Sequence, residues 1–390
     1  MSDFSYPDSD AYLDAALQRG EPDAHTCVSV TRPWQEASDQ LDVRYHASPA
    51  GSGGLYADVD GTRIPLDQPL KLLPVTVSKP WGHETWYSGI EARGESSVQA
   101  QHGRLPLLSY LSLAPQRLCG RRPPVLLKEL TSRPEPVIGE LYFEIHERKQ
   151  EVYLVTEVDK HVYPDGIGAI RFGMNQTLRA THPSDDAFRL AFLTAVESYQ
   201  REGQGLGQDL RKIAVPGQRS SASRDQMLSF INLTALRRGD VIVVPSGVPH
   251  SLQPGLRVLE FQTPSYERQI IYASQPVLTP AGWDSARAIA QMSLEPPAAP
   301  LPATHPDPVV ASFEEFGVHR ISISASANQP MPEGLPYAVC IATDSDITIN
   351  CARGTLKLAE GEAAFIPGSA QRVTFNATNP AQLLLSGPGL

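Results

Sequence analysis

Proline sets the first limit on this chain. There are 35 prolines among its 390 residues. A residue without an N–H interrupts helices and central strands, so many short strands and turns are expected. From Leu72 onward the apolar runs fit that limit: Leu72–Val77, Leu105–Leu113, Val125–Leu130, Leu141–Ile145 and Val152–Thr156 are cut apart by Gly and Pro. They read as strands at the spacing of a sandwich or barrel. Strands resume at Val241–Val244 and Val258–Phe261, and short runs from Ile321–Ser324 to Gln382–Leu385 form a second β unit.

One stretch is different. Phe188, Phe192, Ala195, Val196 and Tyr199 fall on one helical face, and Ser184, Asp185 and Asp186 suit its N-terminus. Residues 201–227, with Gly203-Gln-Gly-Leu-Gly, read as loop or broken helix. Residues 160–235 are therefore expected to be a partly helical insertion. Residues 1–70 read as an N-terminal extension packing on the barrel, with a short helix near Asp10–Arg19 and a loop at Ala47–Gly54. The main domain is expected over 71–290. Six prolines in Pro296–Pro308 mark a linker, bounded as 291–310, and the second β unit takes 311–390.

Charge narrows the partners. Lys+Arg total 33 against 43 Asp+Glu, a net −10, which argues against nucleic acid and anionic membranes as partners. Cys27, Cys119, Cys340 and Cys351 form no C-x-x-C pair and read as buried thiols in a reducing compartment. The N-terminus has no signal-peptide pattern and no run is long enough to span a bilayer, so a cytoplasmic protein, monomer or homodimer, is expected.

Two stretches carry chemistry. In Gly139–Val155, Glu144 and His146 are two apart, so on a strand they share a face. Glu151 follows a charged turn, and a hairpin would return it to the same place. Glu147, Arg148 and Lys149 read as solvated turn residues. In Gly239–His250 an apolar strand ends in a Pro/Gly turn that delivers His250. Two carboxylates and two imidazoles suit one divalent cation: Zn²⁺, Fe²⁺, Mn²⁺ or Co²⁺. Inward-facing Glu144 and His146 would be costly without it.

The pattern G-x5-P-x-G-x2-H at Gly239–His250 resembles the second motif of the cupin superfamily, and Gly139–Glu151 resembles the first. Lys79-Pro-Trp-Gly-His-Glu84, Pro124-Val-Leu-Leu-Lys128 and Leu259-Glu-Phe-Gln-Thr-Pro-Ser-Tyr-Glu-Arg268 narrow the resemblance to the type I, zinc-dependent mannose-6-phosphate isomerase family. The five blocks keep that family's order over roughly residues 75–280. The resemblance implies a mainly β fold: a jelly-roll cupin barrel with a partly helical insertion and a second, degenerate cupin-like domain. In that second domain Arg372 stands where the motif has histidine, so no metal is expected there.

By the same resemblance, Glu144, His146, Glu151 and His250 are the metal ligands and the metal is zinc. Arg268 matches the active-site arginine and Lys128 a substrate-pocket lysine. Glu144 replaces the family's Gln and adds a negative charge. The implied reaction interconverts mannose 6-phosphate and fructose 6-phosphate, or a related sugar, through a cis-enediol. Glu260, a metal-bound hydroxide or His83 are candidates for the base. Arg121, Arg122 and Arg171 read first as surface residues and second as phosphate partners. Trp81, Trp86 and Tyr87 read first as packing and second as a sugar-stacking surface. Two other functions stay open: a non-catalytic sugar-binding or regulatory cupin, and another metallocupin enzyme such as an iron oxygenase.

Overall fold

Short strands dominate because buried and exposed residues alternate along them, as in Asp39–Ala47, where Leu41, Val43 and Tyr45 point inward between exposed neighbours. The computed structural model describes residues 5–21, 23–47, 54–205, 221–265, 267–274 and 283–389. The chain is mainly β and forms two compact units. One unit comprises 1–77, 85–128 and 306–390; the other comprises 78–84 and 129–305. The units are interleaved in sequence, in contrast to the consecutive division drawn from the proline-rich segment.

The unit formed by 78–84 and 129–305 holds the candidate metal ligands, Glu260 and Arg268, while Lys128 belongs to the other. One of its sheets runs Ile231–Leu236, Gly168–Met174, His250–Leu252, Phe143–Ile145, Gln269–Tyr272. A second contains Val241–Val244, Glu151–Val158 and Leu256–Gln262 in that order. The two share a core in which Ile170, Phe172, Leu252 and Ile270 of the first pack with Tyr153, Val155, Ile242 and Val258 of the second. Trp81 is buried in this core as a packing residue.

Helices cover the other face of the first sheet. The helix Asp185–Gly205 starts where Ser184 accepts a hydrogen bond from the Ala187 N–H. Phe188, Phe192, Ala195 and Val196 are buried against Phe143, Ile145 and Tyr272 of the sheet and Ile289 of the helix Ser285–Gln291. Its backbone continues to Gly205, so Gly203–Gly205 are helical rather than loop, and Ala222–Ser229 is a second helix. The rest of that glycine-rich stretch, Leu206 and Gly207, lies outside the described residues, as does most of the Ala47–Gly54 loop. The proline-rich segment is a connector held by paired backbone hydrogen bonds of 2.8 Å between Leu301 and Val241.

In the unit formed by 1–77, 85–128 and 306–390, an eight-stranded sheet brings Leu70–Leu73 beside Ala363–Pro367, with Lys71 opposite Ala364. A helix, Ser9–Gln18, and a four-stranded meander over 23–65 account for much of the N-terminal segment. The 321–385 runs form strands packed around Ile349, Ile366 and Phe375. Leu105–Leu113, expected as a strand, becomes the helix Leu107–Leu113. All seven of its residues are buried, so no alternation was available to distinguish helix from strand. Trp86 and Tyr87 are buried. Arg121, Arg122 and Arg372 are exposed. The four cysteines are free; Cys119 and Cys340 are buried as expected, while Cys27 is exposed and Cys351 half-buried. Cys27 is on the exposed side of an edge strand that alternates inward and outward residues.

Candidate metal centre

Two turns deliver the cluster. Gly247 adopts φ +79°, a backbone open to glycine at no steric cost, and donates a 2.7 Å hydrogen bond to the His146 carbonyl. The strand His250–Leu252 then places His250 directly opposite Glu144. Gly139 passes so close to the Arg133 carbonyl that a Cβ would sit 1.9 Å from its oxygen. The chain after it runs into Phe143–Ile145, from which Glu144 and His146 project by alternation.

Glu144, His146 and His250 each offer one ligand atom, and these atoms lie within 4.8 Å of one another. The two imidazole rings are 5.1 Å apart. Nδ1 of His250 lies 2.9 Å from the Val248 carbonyl, so it donates there and leaves Nε2 with a lone pair facing inward. Glu144 Oε2, His146 Nε2 and His250 Nε2 are buried without a hydrogen-bond partner. Buried polar atoms are seldom left unsatisfied, and a cation accepting these lone pairs would satisfy all three. The donor set therefore fits a borderline divalent ion, with coordination positions left for other oxygens.

Glu151 completes the surroundings. Its carboxylate oxygens lie 3.3 Å from His146 Nε2 and 3.0 Å from His250 Nε2, so the carboxylate and both imidazoles converge on one place. Lys149 Nζ is 2.6 Å from Oε1, and the Tyr153 hydroxyl donates to Oε2 at 2.5 Å. Burial opposes the Glu151 charge, but Lys149 and the histidines outweigh it and hold the carboxyl well below its usual range. Burial and then Lys149 lower the His146 pKa, favouring the neutral imidazole a metal needs. Burial also works against the His250 cation, yet the Glu151 contact prevails and raises its pKa. Tyr153 is pushed up by burial and then by the carboxylates of Glu151 and Glu260.

Lys149 corrects the expectation of a solvated turn residue: Glu147 and Arg148 are exposed, but Lys149 is buried on Glu151. A sequence signal existed, since Lys149, Glu151 and Tyr153 are spaced by two and share a face of an extended chain. Gln262, directly opposite Glu151, is also buried with its Oε1 unpartnered. Arg171 is likewise not a surface residue. It is buried in a 2.8 Å ion pair with Glu140, which also takes 2.8 Å from Arg224.

Glu260 is buried opposite Tyr153, so it shares the face of Glu151. Arg268 is half-buried, with its guanidinium 5.0 Å from the Tyr142 ring centre; Tyr142 precedes Glu144 by two residues. Lys128 is buried, 6.0 Å from the Trp86 ring centre. His83 is half-buried on Gly82–Trp86. Tyr266 lies outside the described residues.

No family model matches the chain, and no curated protein matches it in sequence. Solved structures do match in fold. Mannose 6-phosphate isomerase from Bacillus subtilis is 16% identical with a TM-score of 0.57, over 82% of this chain and 99% of its own. A single-residue variant of phosphomannose isomerase from Salmonella typhimurium is 15% identical with a TM-score of 0.58, over 83% and 100%. A mannose 6-phosphate isomerase bound with zinc and yttrium is 15% identical with a TM-score of 0.57, again over 83% and 100%. The fold is the cupin fold of these isomerases, as expected. No helix among the described residues is long and apolar enough to cross a membrane.

Proposed function

We propose that this chain is a metal-dependent aldose–ketose isomerase of mannose 6-phosphate isomerase type, acting on a sugar phosphate. The observation that carries this reading is the Glu144–His146–His250 cluster with three buried, unpartnered side-chain atoms, set in a fold shared with solved mannose 6-phosphate and phosphomannose isomerases. Zinc held by these residues, with Glu151 as a further ligand, would supply a Lewis acid to the hydroxyl and carbonyl oxygens of the sugar.

The other roles belong to the chain itself. Lys149 keeps Glu151 ionised and offsets part of the negative charge contributed by Glu144. Arg268, through its guanidinium, stabilises the negative charge that develops as the cis-enediol forms. Glu260 is the candidate base for the proton exchanged between C1 and C2, since it is a buried carboxylate on the sheet face that carries Tyr153 and Glu151. Its motif supports a substrate role for Lys128.

The test is elemental analysis of the purified protein, then conversion of mannose 6-phosphate to fructose 6-phosphate on the same sample with and without chelator. Stoichiometric zinc and chelator-sensitive turnover are expected. Bound metal with no turnover of this sugar would sink the substrate assignment, and absence of metal would sink the whole reading.

A further inference from the structure

The turn between His146 and Glu151 is held by a side chain from far along the sequence. Glu267 accepts hydrogen bonds from three successive backbone N–H groups: Glu147, Arg148 at 3.0 and 3.2 Å, and Lys149 at 3.2 Å. Converging amides of this kind form an anion-binding nest, and here the anion is built into the protein. The turn's other backbone contacts go to neutral groups, while the Glu147 side chain is ion-paired with Arg287 at 2.8 Å and Lys149 with Glu151 at 2.6 Å. The Ser246 hydroxyl donates to the Arg148 carbonyl at 3.0 Å. Gln150 N donates to Thr263 Oγ1 at 3.3 Å, and Thr263 N to the Gln150 carbonyl at 3.1 Å.

We propose that Glu267 is a positioning residue for the metal centre: by gripping the amides of 147–149 it fixes the separation and direction of His146 and Glu151 and ties the chain at Arg268 to the same turn. This rests on the reading of Glu144, His146, Glu151 and His250 as metal ligands. A charge-assisted hydrogen bond contributes more than a neutral one, and three to one carboxylate leave the turn few other arrangements. Glu267 and Arg268 are consecutive, so a displaced turn would carry both the ligands and the cation out of place together. Glu267 itself touches neither metal nor sugar in this scheme.

The experiment uses the full chain and Glu267→Ala and Glu267→Gln variants, with two readouts that need no sugar. Amide hydrogen exchange at 147–149 should accelerate at least about tenfold in Glu267→Ala, as expected for lost hydrogen bonds to a charged acceptor. Zinc release into excess chelator should accelerate by about 10–100-fold, the usual cost of losing support behind a ligand. Glu267→Gln keeps one acceptor oxygen and should recover part of both effects. If the alanine variant does not fold, the glutamine variant decides by the same readouts. Unchanged exchange overturns the proposal, and so does unchanged zinc release once the three amides exchange freely. A chain whose zinc release responds to Glu267→Ala but which never isomerises mannose 6-phosphate supports this proposal and sinks the substrate assignment.

Discussion

His250 stands directly across from Glu144 on adjacent antiparallel strands, although more than a hundred residues separate them in the chain. The placement of this proposed ligand pair is thus set by sheet register, and a one-residue slip of either strand would turn its side chain away from the cluster. His250→Ala should lower zinc affinity by more than the roughly 10–100-fold typical of losing a ligand's supporting contact. Competition with a chromophoric chelator measures this. Stoichiometric zinc retained at wild-type affinity would remove His250 from the ligand set.

Arg268 is expected to act on the reaction and not on the metal. Arg268→Ala should reduce kcat by about 10²–10³, the scale seen when one group stabilising transition-state charge is removed, with metal content unchanged. Loss of zinc in this variant would show instead that the Tyr142 contact holds the ligand strand in place.

Glu140 gives a prediction in pH. Burial disfavours its charge, but Arg224 and Arg171 outweigh burial and lower its folded pKa. A depressed folded pKa contributes stability that is present above the unfolded value, about 4.3, and is lost as pH falls through the folded one. Glu140→Gln should cost about 3–5 kcal/mol at neutral pH, because buried Arg171 and half-buried Arg224 lose their anion. The stability of this variant should also fall less steeply in acid. Urea midpoints across pH test both claims, and parallel acid limbs would contradict the second.

Phe192 carries a purely structural prediction. It is fully buried between the helix Asp185–Gly205 and the outer face of the sheet that bears Glu144. Phe192→Ala should destabilise the protein by about 3–5 kcal/mol, measured by chemical denaturation. A change below 1 kcal/mol, well under the typical range for such cavities, would mean that the helix does not pack on the sheet in this way.

Local signals made much of the fold legible. Val241–Val244 and Ala363–Pro367 have the limits that their flanking Gly and Pro suggested, and the face of the long helix was written in the spacing of its phenylalanines. Glu144, His146 and His250 stood out because each lies at a fixed offset from a turn glycine or a strand partner. What stayed hidden depends on distant chain. Nothing in the four residues Leu70–Leu73 specifies a partner at Ala363–Pro367. Arg171 looked like a solvent-facing cation because its carboxylate partner, Glu140, becomes a neighbour only on folding, whereas the partner of Lys149 lay two residues away, at Glu151. The reverse holds for Leu107–Leu113, where burial on every side erased the period that distinguishes a helix.

The pairing of Lys71 with Ala364 also bears on how the protein is made. A ribosome adding about 5–20 residues per second would leave the strand at Leu70–Leu73 without this neighbour for on the order of 15–60 s. The segment 129–305, by contrast, emerges as one stretch and can begin collapsing while the other unit still lacks its last strands. The early strands therefore spend synthesis with an open edge that other chains can pair with. A chain ending near residue 305 would keep that edge for its lifetime, making premature termination a route to aggregation even though every candidate site residue has been translated.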